Sequence, residues 1–313
     1  MKSLRIVFMG TTHFGVPALE NLINSSHEVL AVIAQPDRPN KRGKKITPLP
    51  LKAKAMDLGI DVLQPENIKD PQFVEKLRSY KADVFIVAAY GQMLSEEILF
   101  MPAGGSLNIH GSLLPQYRGA APIQRAIING EEKAGVSIMQ MGLGMDTGDM
   151  LSKAEILITT ETTFETLHND LADLGADLLM KTLEDLLLGK LDPVPQNEDL
   201  ATYAQKIQKD TGHILWNLES HEILSLINGT DPQPGAYFIY ENEKIKCFKP
   251  EIIPWFGNEP SGTIIRASGQ EGLLVKTGDG ALSIGEIQAP GKKRMEAKVY
   301  LRGNALEIGK ILK

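Results

Sequence analysis

Residues 106–149 read SLNIHGSLLPQYRGAAPIQRAIINGEEKAGVSIMQMGLGMDTGD, and their opening decides the fold. In Leu107-Asn108-Ile109-His110 apolar and polar side chains alternate, so on a β-strand Asn108 and His110 point to one face and Leu107 and Ile109 to the other. Gly111 follows at once and ends the strand. The polar pair therefore stands at a carboxyl end, where open α/β sheets build their sites.

Upstream, short apolar runs alternate with stretches of helical spacing. Strands are predicted at Leu4–Met9, Glu28–Ala34, Ile60–Val62 and Val84–Ala89, and helices at Pro17–Ile23, Leu51–Asp57 and Pro71–Ser79. That alternation predicts a doubly wound, mostly parallel sheet. The loop after the first strand, GTTHFG, lacks the G-x-G-x-x-G pattern, and Val16-Pro17 stands where a P-loop needs Lys and Ser/Thr. Between Arg38 and Lys45 lie five basic residues, Arg38, Lys41, Arg42, Lys44 and Lys45, in a Pro/Gly-bearing loop. Such a run is either a solvated surface loop or an arm that grips phosphates. Ala88–Leu94, AAYGQML, follows the fourth strand, and its small residues and glycine suit either a flat ligand or a plain turn.

Downstream, Phe164–Leu187 carries dense Leu and Ala at helical spacing and closes the first domain. After Gly189 the composition changes to Pro and polar residues, so 190–206 reads as a linker. Beyond it a helix is predicted within Leu215–Ile227. Short strands follow at Ala236–Tyr240, Lys244–Phe248, Gly262–Ala267, Leu273–Thr277 and Ala281–Ile287, the pattern of a small barrel. Residues 207–313 hold 13 basic and 13 acidic side chains, so a polyanion could be held there only by a local patch. Lys292, Lys293, Arg294, Lys298 and Arg302 form one such cluster.

The 313 residues carry a net charge of −6, which excludes indiscriminate nucleic-acid binding. Cys247 is the only cysteine, which excludes an internal disulfide and a cysteine-rich metal site. No apolar run reaches the roughly 18 residues of a membrane span, and the expected compartment is the cytoplasm.

The central stretch suggests chemistry. Asn108 can donate an amide N–H to a developing oxyanion, and His110 can donate or accept a proton near neutral pH. Asp146 or Asp149, on the glycine-rich loop 141–149, could orient His110. Ser112 lacks the G-x-S-x-G elbow of a nucleophile. A zinc reading would have to join His13, His110 and Asp146. The favoured reaction is one in which the substrate supplies the nucleophile, such as acyl or formyl transfer to an amine.

The segments FMGTTHFGVPALE, AQPDRPNKRGKK, AAYGQML, LNIHGSLLPQYRGAAPIQRAI, GVSIMQMGLGMDTGDML, ATYAQKI and APGKKRM resemble the methionyl-tRNA formyltransferase family of folate-dependent formyltransferases. The resemblance implies a Rossmann-like formyltransferase domain over 1–189, a linker over 190–206 and an OB-like tRNA-binding domain over 207–313. It implies 10-formyltetrahydrofolate as donor and initiator methionyl-tRNA as acceptor, with no metal, membrane or obligate protein partner. Position by position it assigns catalysis to Asn108, His110 and Asp146. It assigns folate contacts to Ser112, Leu113, Leu114, Pro115, Tyr90, Gly91 and Met93. Contacts to tRNA fall on Arg38, Lys41, Arg42, Lys44, Lys45, Lys206, Lys292, Lys293 and Arg294. Two alternatives are a related enzyme acting on another amine acceptor or water, and a non-catalytic RNA-binding protein. An intact Asn108, His110, Asp146 set argues against the latter.

Overall fold

The computed structural model describes residues 3–38 and 47–313. Lys41, Arg42, Lys44 and Lys45 therefore lie outside the described residues. The elements in chain order are β1 (Arg5–Gly10), α1 (Val16–Ile23), β2 (Glu28–Ile33), α2 (Pro50–Asp57), β3 (Val62–Leu63), α3 (Pro71–Ser79), β4 (Val84–Ala88), α4 (Glu96–Leu99) and β5 (Ser106–His110). Then follow β6 (Arg118–Gly119), α5 (Pro122–Ile128), β7 (Lys133–Gln140), β8 (Met150–Leu157), α6 (Phe164–Leu188) and β9 (Tyr203–Ala204). The remainder is α7 (Ser220–Thr230), β10 (Tyr237–Tyr240), β11 (Glu243–Ile253), β12 (Ile264–Ser268), β13 (Gly272–Lys276), β14 (Ala281–Gln288), β15 (Met295–Glu296) and α8 (Ala297–Leu301). The contacts divide the chain into two compact units that interleave in sequence. One comprises 1–119, 135–156 and 168–203; the other comprises 120–134, 157–167 and 204–313.

The first unit is built on a seven-stranded sheet of order β3-β2-β1-β4-β5-β7-β8. The pairs from β3 to β5 are parallel, as the alternation predicts, while β7 runs antiparallel to β5. Apolar runs buried on both faces explain the strands: every residue of β4 and β5 is buried. Burial of each large apolar side chain contributes about 1.5–3 kcal/mol. Val7, Met9, Ile33, Phe85 and Val87 pack with Val74 and Leu77 of α3. That helix starts where Asp70 accepts from the backbone N–H groups of Gln72 and Phe73, with Pro71 in the first turn.

The winding reverses between β1 and β4, and at that switch point an open sheet leaves a crevice beyond its carboxyl ends. Gly10, the last residue of β1, has no room for a side chain: a Cβ would stand 2.7 Å from Ala88 O and 2.7 Å from Leu51 Cδ2. Thr11 Oγ1 donates to Tyr90 O at 2.9 Å and ties the two strand ends together.

In the second unit the short strands form a curled antiparallel sheet, a half-barrel of order β10-β11-β14-β13-β12, with β15 beside β14. Residues 310–313 bond to both ends of it. Ile239 N–H donates to Lys313 O at 2.6 Å, and Ile264 N–H donates to Lys310 O at 2.9 Å. Two boundaries differ from the sequence reading. Helix α7 starts at Ser220 rather than Leu215, because Glu219 and Glu222 form a capping box and Trp216, 4% exposed, turns into the core. Strand β11 continues through Pro250, which pairs with Ile284 of β14 and lies beyond the last β10 partner, so the side of β11 away from β14 carries no β10 ladder for the proline to interrupt. Helix α5, from the central stretch, also belongs to this unit. The Gln124 side chain donates to Gly229 O and Gln233 O, and a Cβ on Gly229 would meet Ile128 Cγ1 at 2.6 Å.

Candidate active site

Strand β5 lies between β4 and β7, with Asn108 opposite Val87 and Met139 and His110 opposite Ser137. The alternation of its side chains puts Asn108 and His110 on one face, as the sequence implies. They are 9% and 6% exposed. Among the described residues, no group hydrogen-bonds the Asn108 side-chain amide. His110 Nε2 lies 3.1 Å from Tyr117 O. A carbonyl only accepts, so that nitrogen is assigned the proton. Nδ1 then carries the lone pair of the neutral ring. It faces Asp146 Oδ1 at 3.7 Å, an ion-pair distance rather than a hydrogen bond.

Asp146 is thus the carboxylate brought to His110, whereas Asp149 is exposed and its backbone oxygen accepts from Gln140 N at 2.9 Å. Asp146 has φ +53, a left-handed conformation uncommon outside glycine and adopted by aspartate more readily than by most residues, and its surroundings hold it there. Three contacts do so. Gly119 N–H donates to Asp146 Oδ2 at 2.8 Å, and Gln196 Nε2 donates to Asp146 O at 2.8 Å and Gly148 O at 2.7 Å. Gln196 Oε1 accepts in turn from Arg118, which is fully buried and also pairs with Glu198 at 2.8 Å. That pairing holds the Glu198 carboxyl below the usual carboxylate range.

Arg118, Gln196 and Glu198 escape a reading of the sequence. Gln196 and Glu198 fall in the segment read as a linker, 78 and 80 positions from Arg118, and no periodicity links them. The available signal was a lone arginine amid small and apolar residues at 117–122. The bridge Met150↔Val194 carries the segment to the edge strand β8.

The turn 112–115 is held from below by β7. Ser137 Oγ donates to Ser112 O at 2.7 Å and accepts from Leu114 N at 3.1 Å, while Ser112 Oγ donates to Gln116 O at 2.6 Å. Leu114 packs with Met139, Met150 and Met141, and Leu113 lies over Gly135, where a Cβ would stand 2.4 Å from Leu113 Cδ2. Pro115 is half-buried. Beyond β4, Tyr90 is buried, its hydroxyl has no partner among the described residues, and burial pushes its phenol up. Gly91, at φ +89, and Met93 are exposed.

Of the cations, Arg38, Lys206, Lys292 and Lys293 are exposed. Arg294 is engaged within the fold: it donates to both oxygens of Asp231, at 2.6 and 3.1 Å, pairs with Glu286, and lies 3.9 Å over the Phe248 ring. Lys52 is likewise bound to Asp37 and Gln64, and it holds the Asp37 carboxyl below its usual value. His13 lies not by His110 but beside His168, ring centroids 6.4 Å apart. Among the described residues, no three His, Cys, Asp or Glu side chains group to hold a metal ion. No described helix is long and apolar enough to cross a membrane.

Residues 4–183 match the family model "Formyl transferase", and residues 206–305 match "Formyl transferase, C-terminal domain". The chain is 46% identical over 311 residues to the methionyl-tRNA formyltransferase of Caldanaerobacter subterraneus, covering 99% of this chain and 100% of that one. It is 44% identical over 312 residues to the protein of the same name in Ruminiclostridium cellulolyticum, covering 99% of each. Two solved structures share the fold. HypX from Aquifex aeolicus in complex with tetrahydrofolic acid has a TM-score of 0.66 at 19% identity, over 96% of this chain and 47% of that one. An N-formyltransferase from Helicobacter canadensis, in complex with folinic acid and dTDP-3-aminofucose, has a TM-score of 0.66 at 18% identity, over 90% and 98%. With both family models matched in order and 46% identity from end to end, the chain belongs to the methionyl-tRNA formyltransferase family.

Proposed function

We infer that this chain transfers the formyl group of 10-formyltetrahydrofolate to the α-amino group of initiator methionyl-tRNA, giving N-formylmethionyl-tRNA for translation initiation. The observation that carries this reading is the end-to-end identity with methionyl-tRNA formyltransferases, which includes the C-terminal domain. A tRNA acceptor puts the work in the compartment of translation, the cytoplasm. The division into a catalytic part over 1–189, a linker and a tRNA-binding part over 207–313 belongs to the same proposal.

The folate donor supplies an electrophilic formyl carbon. Ser112–Pro115, Tyr90, Gly91 and Met93 hold it, supported by the apolar floor at Leu114 and the open backbone after β4. The neutral amine of methionine attacks that carbon, forming a C–N bond and a tetrahedral adduct whose oxygen becomes anionic. Asn108, with its amide unengaged, donates to that oxygen. His110 in its imidazolium form donates from Nδ1, and Asp146 at 3.7 Å stabilises the positive charge. The attacking nitrogen then loses its extra proton, N10 of the donor gains one, and the C–N10 bond breaks to release tetrahydrofolate. Arg38, Lys41, Arg42, Lys44, Lys45, Lys206, Lys292 and Lys293 contact tRNA phosphates, with Arg294 shaping the last of these patches.

Charged initiator tRNA, elongator methionyl-tRNA and free methionine, each offered with 10-formyltetrahydrofolate, test the reading. Formylation of the initiator species alone is expected. Turnover of the donor with no formylated tRNA would transfer the reading to another amine acceptor.

A further inference from the structure

A fully buried guanidinium needs every donor placed, and the partners of Arg118 all belong to one segment, residues 196–203. Nε and Nη2 donate to Gln196 Oε1 at 3.0 and 2.8 Å, while Nη1 and Nη2 donate to the two carboxylate oxygens of Glu198 at 2.8 Å. This planar fork settles the orientation of the Gln196 amide, because only its oxygen can face five donors. Its NH2 group then points the other way, and both of its hydrogens are taken up by the carbonyls of Asp146 and Gly148. The same strand that carries Arg118 also supplies Gly119 N–H to the Asp146 carboxylate. Main chain and side chain of Asp146 are therefore both fixed from Arg118, and what they fix is a left-handed residue facing His110.

We propose that Arg118 and Gln196 are positioning residues for the reaction: Arg118 orients the Gln196 amide, and Gln196 locks the 146–148 turn so that the Asp146 carboxylate faces His110 Nδ1. Neither residue touches a reacting atom in this scheme. The proposal rests on the formyl-transfer reading above for its kinetic consequences. A packing role for Gln196 would need only a side chain of that length with an oxygen toward Arg118; positioning needs the two N–H groups as well.

Gln196→Glu separates these roles, since it keeps the length and strengthens the pairing to Arg118 while removing both donors and turning an oxygen toward two carbonyls. In the full-length enzyme the single-turnover rate of formyl transfer to charged initiator tRNA is expected to fall about 10²-fold, the order seen when a reacting group is displaced by about 1 Å. Folinic acid binding should stay within about 3-fold of wild type, because uniform binding is untouched. In an Asp146→Asn background the further loss on Gln196→Glu should be under about 3-fold, since residues acting through one another are not additive. Peptide-level hydrogen exchange across 141–150 reads the turn whatever the acceptor, and it should rise in Gln196→Glu. Arg118→Lys, which keeps the charge and loses the fork, should reproduce the rate loss and serves if Gln196→Glu folds poorly.

A Gln196→Glu enzyme with wild-type rate and wild-type exchange would overturn the proposal, as would equal losses in the wild-type and Asp146→Asn backgrounds. If the wild-type enzyme formylates no tRNA, the functional reading fails, while the exchange measurement still decides whether Gln196 holds the turn.

Discussion

His110 and Asp146 face each other across 3.7 Å, Nδ1 to Oδ1, while the other ring nitrogen lies 3.1 Å from the Tyr117 carbonyl. One nitrogen is thereby committed to orientation and the other left for proton chemistry. The pair also sits where water is mostly excluded, with side chains 7% and 17% exposed, so its electrostatic effect on a developing charge is larger than in bulk solvent.

Replacing His110 by Ala should lower kcat on the order of 10²–10⁴-fold, the usual contribution of a positioned acid or base. Asn108→Ala should cost about 10²–10³-fold, as loss of one oxyanion donor does. Both variants should retain the fold by circular dichroism; a wild-type rate in either would remove that residue from the mechanism. Because the attacking amine must be neutral, kcat/KM should fall on acidification in the wild-type enzyme.

Gly148→Ala should disable the site without touching a charged group. A Cβ at that position would stand 1.6 Å from Gln140 O, so the backbone of the turn has to move and carry Asp146 with it. A kcat loss of about 10²-fold is expected from such a displacement. Steady-state kinetics beside a melting curve would check it, and an active, normally stable Gly148→Ala enzyme would mean that the turn tolerates movement.

Glu286 links stability to pH. Burial alone would raise its pKa, but hydrogen bonds from Lys249 and Arg294 outweigh burial and hold its carboxyl below the ordinary value of 4.5. A depressed carboxylate contributes stability that is complete above about pH 4.5 and is lost as pH falls through the folded value. Glu286→Gln should therefore be less stable than wild type at pH 7, by about 1–2 kcal/mol for charge-assisted hydrogen bonds, and should lose less stability between pH 5 and pH 3 than wild type, a range of about two pH units set by the linkage relation. Both tryptophans, Trp216 and Trp255, lie in this unit, so their fluorescence during thermal unfolding reports it. Parallel pH profiles for variant and wild type would contradict the assignment.

Arg42→Ala should raise the KM for charged tRNA far more than that for the folate donor, and equal effects would argue against a tRNA-reading loop. Affinity for tRNA should fall with salt, and Lys292→Ala and Lys293→Ala should each reduce the log–log salt slope by about 1. Arg294→Ala should instead lower the melting temperature, because its guanidinium already pairs with Asp231 and Glu286. A filter-binding titration over a range of potassium chloride concentrations, with a melting curve for each variant, distinguishes the two behaviours.

The sequence by itself determined the parts that local physics controls. Alternation at 107–110 placed Asn108 and His110 on one face, and strand–helix alternation over the first hundred residues set the doubly wound sheet, because side-chain period and apolar runs are properties of neighbours along the chain. The same holds for the short strands after Ala236. Local spacing left Asp146 and Asp149 equally open and only the family resemblance named Asp146; tertiary structure brings the Asp146 carboxylate to His110 through a left-handed turn held by Gly119 and Gln196. The grouping of α5 with the C-terminal unit was also left to tertiary structure, made by contacts between α5 and α7. The network from Arg118 to Gln196 spans 78 positions, and Arg294, which reads as one of a basic cluster, finds Asp231 63 positions away. Such pairings depend on where the chain returns in space, and no spacing rule along the sequence encodes that.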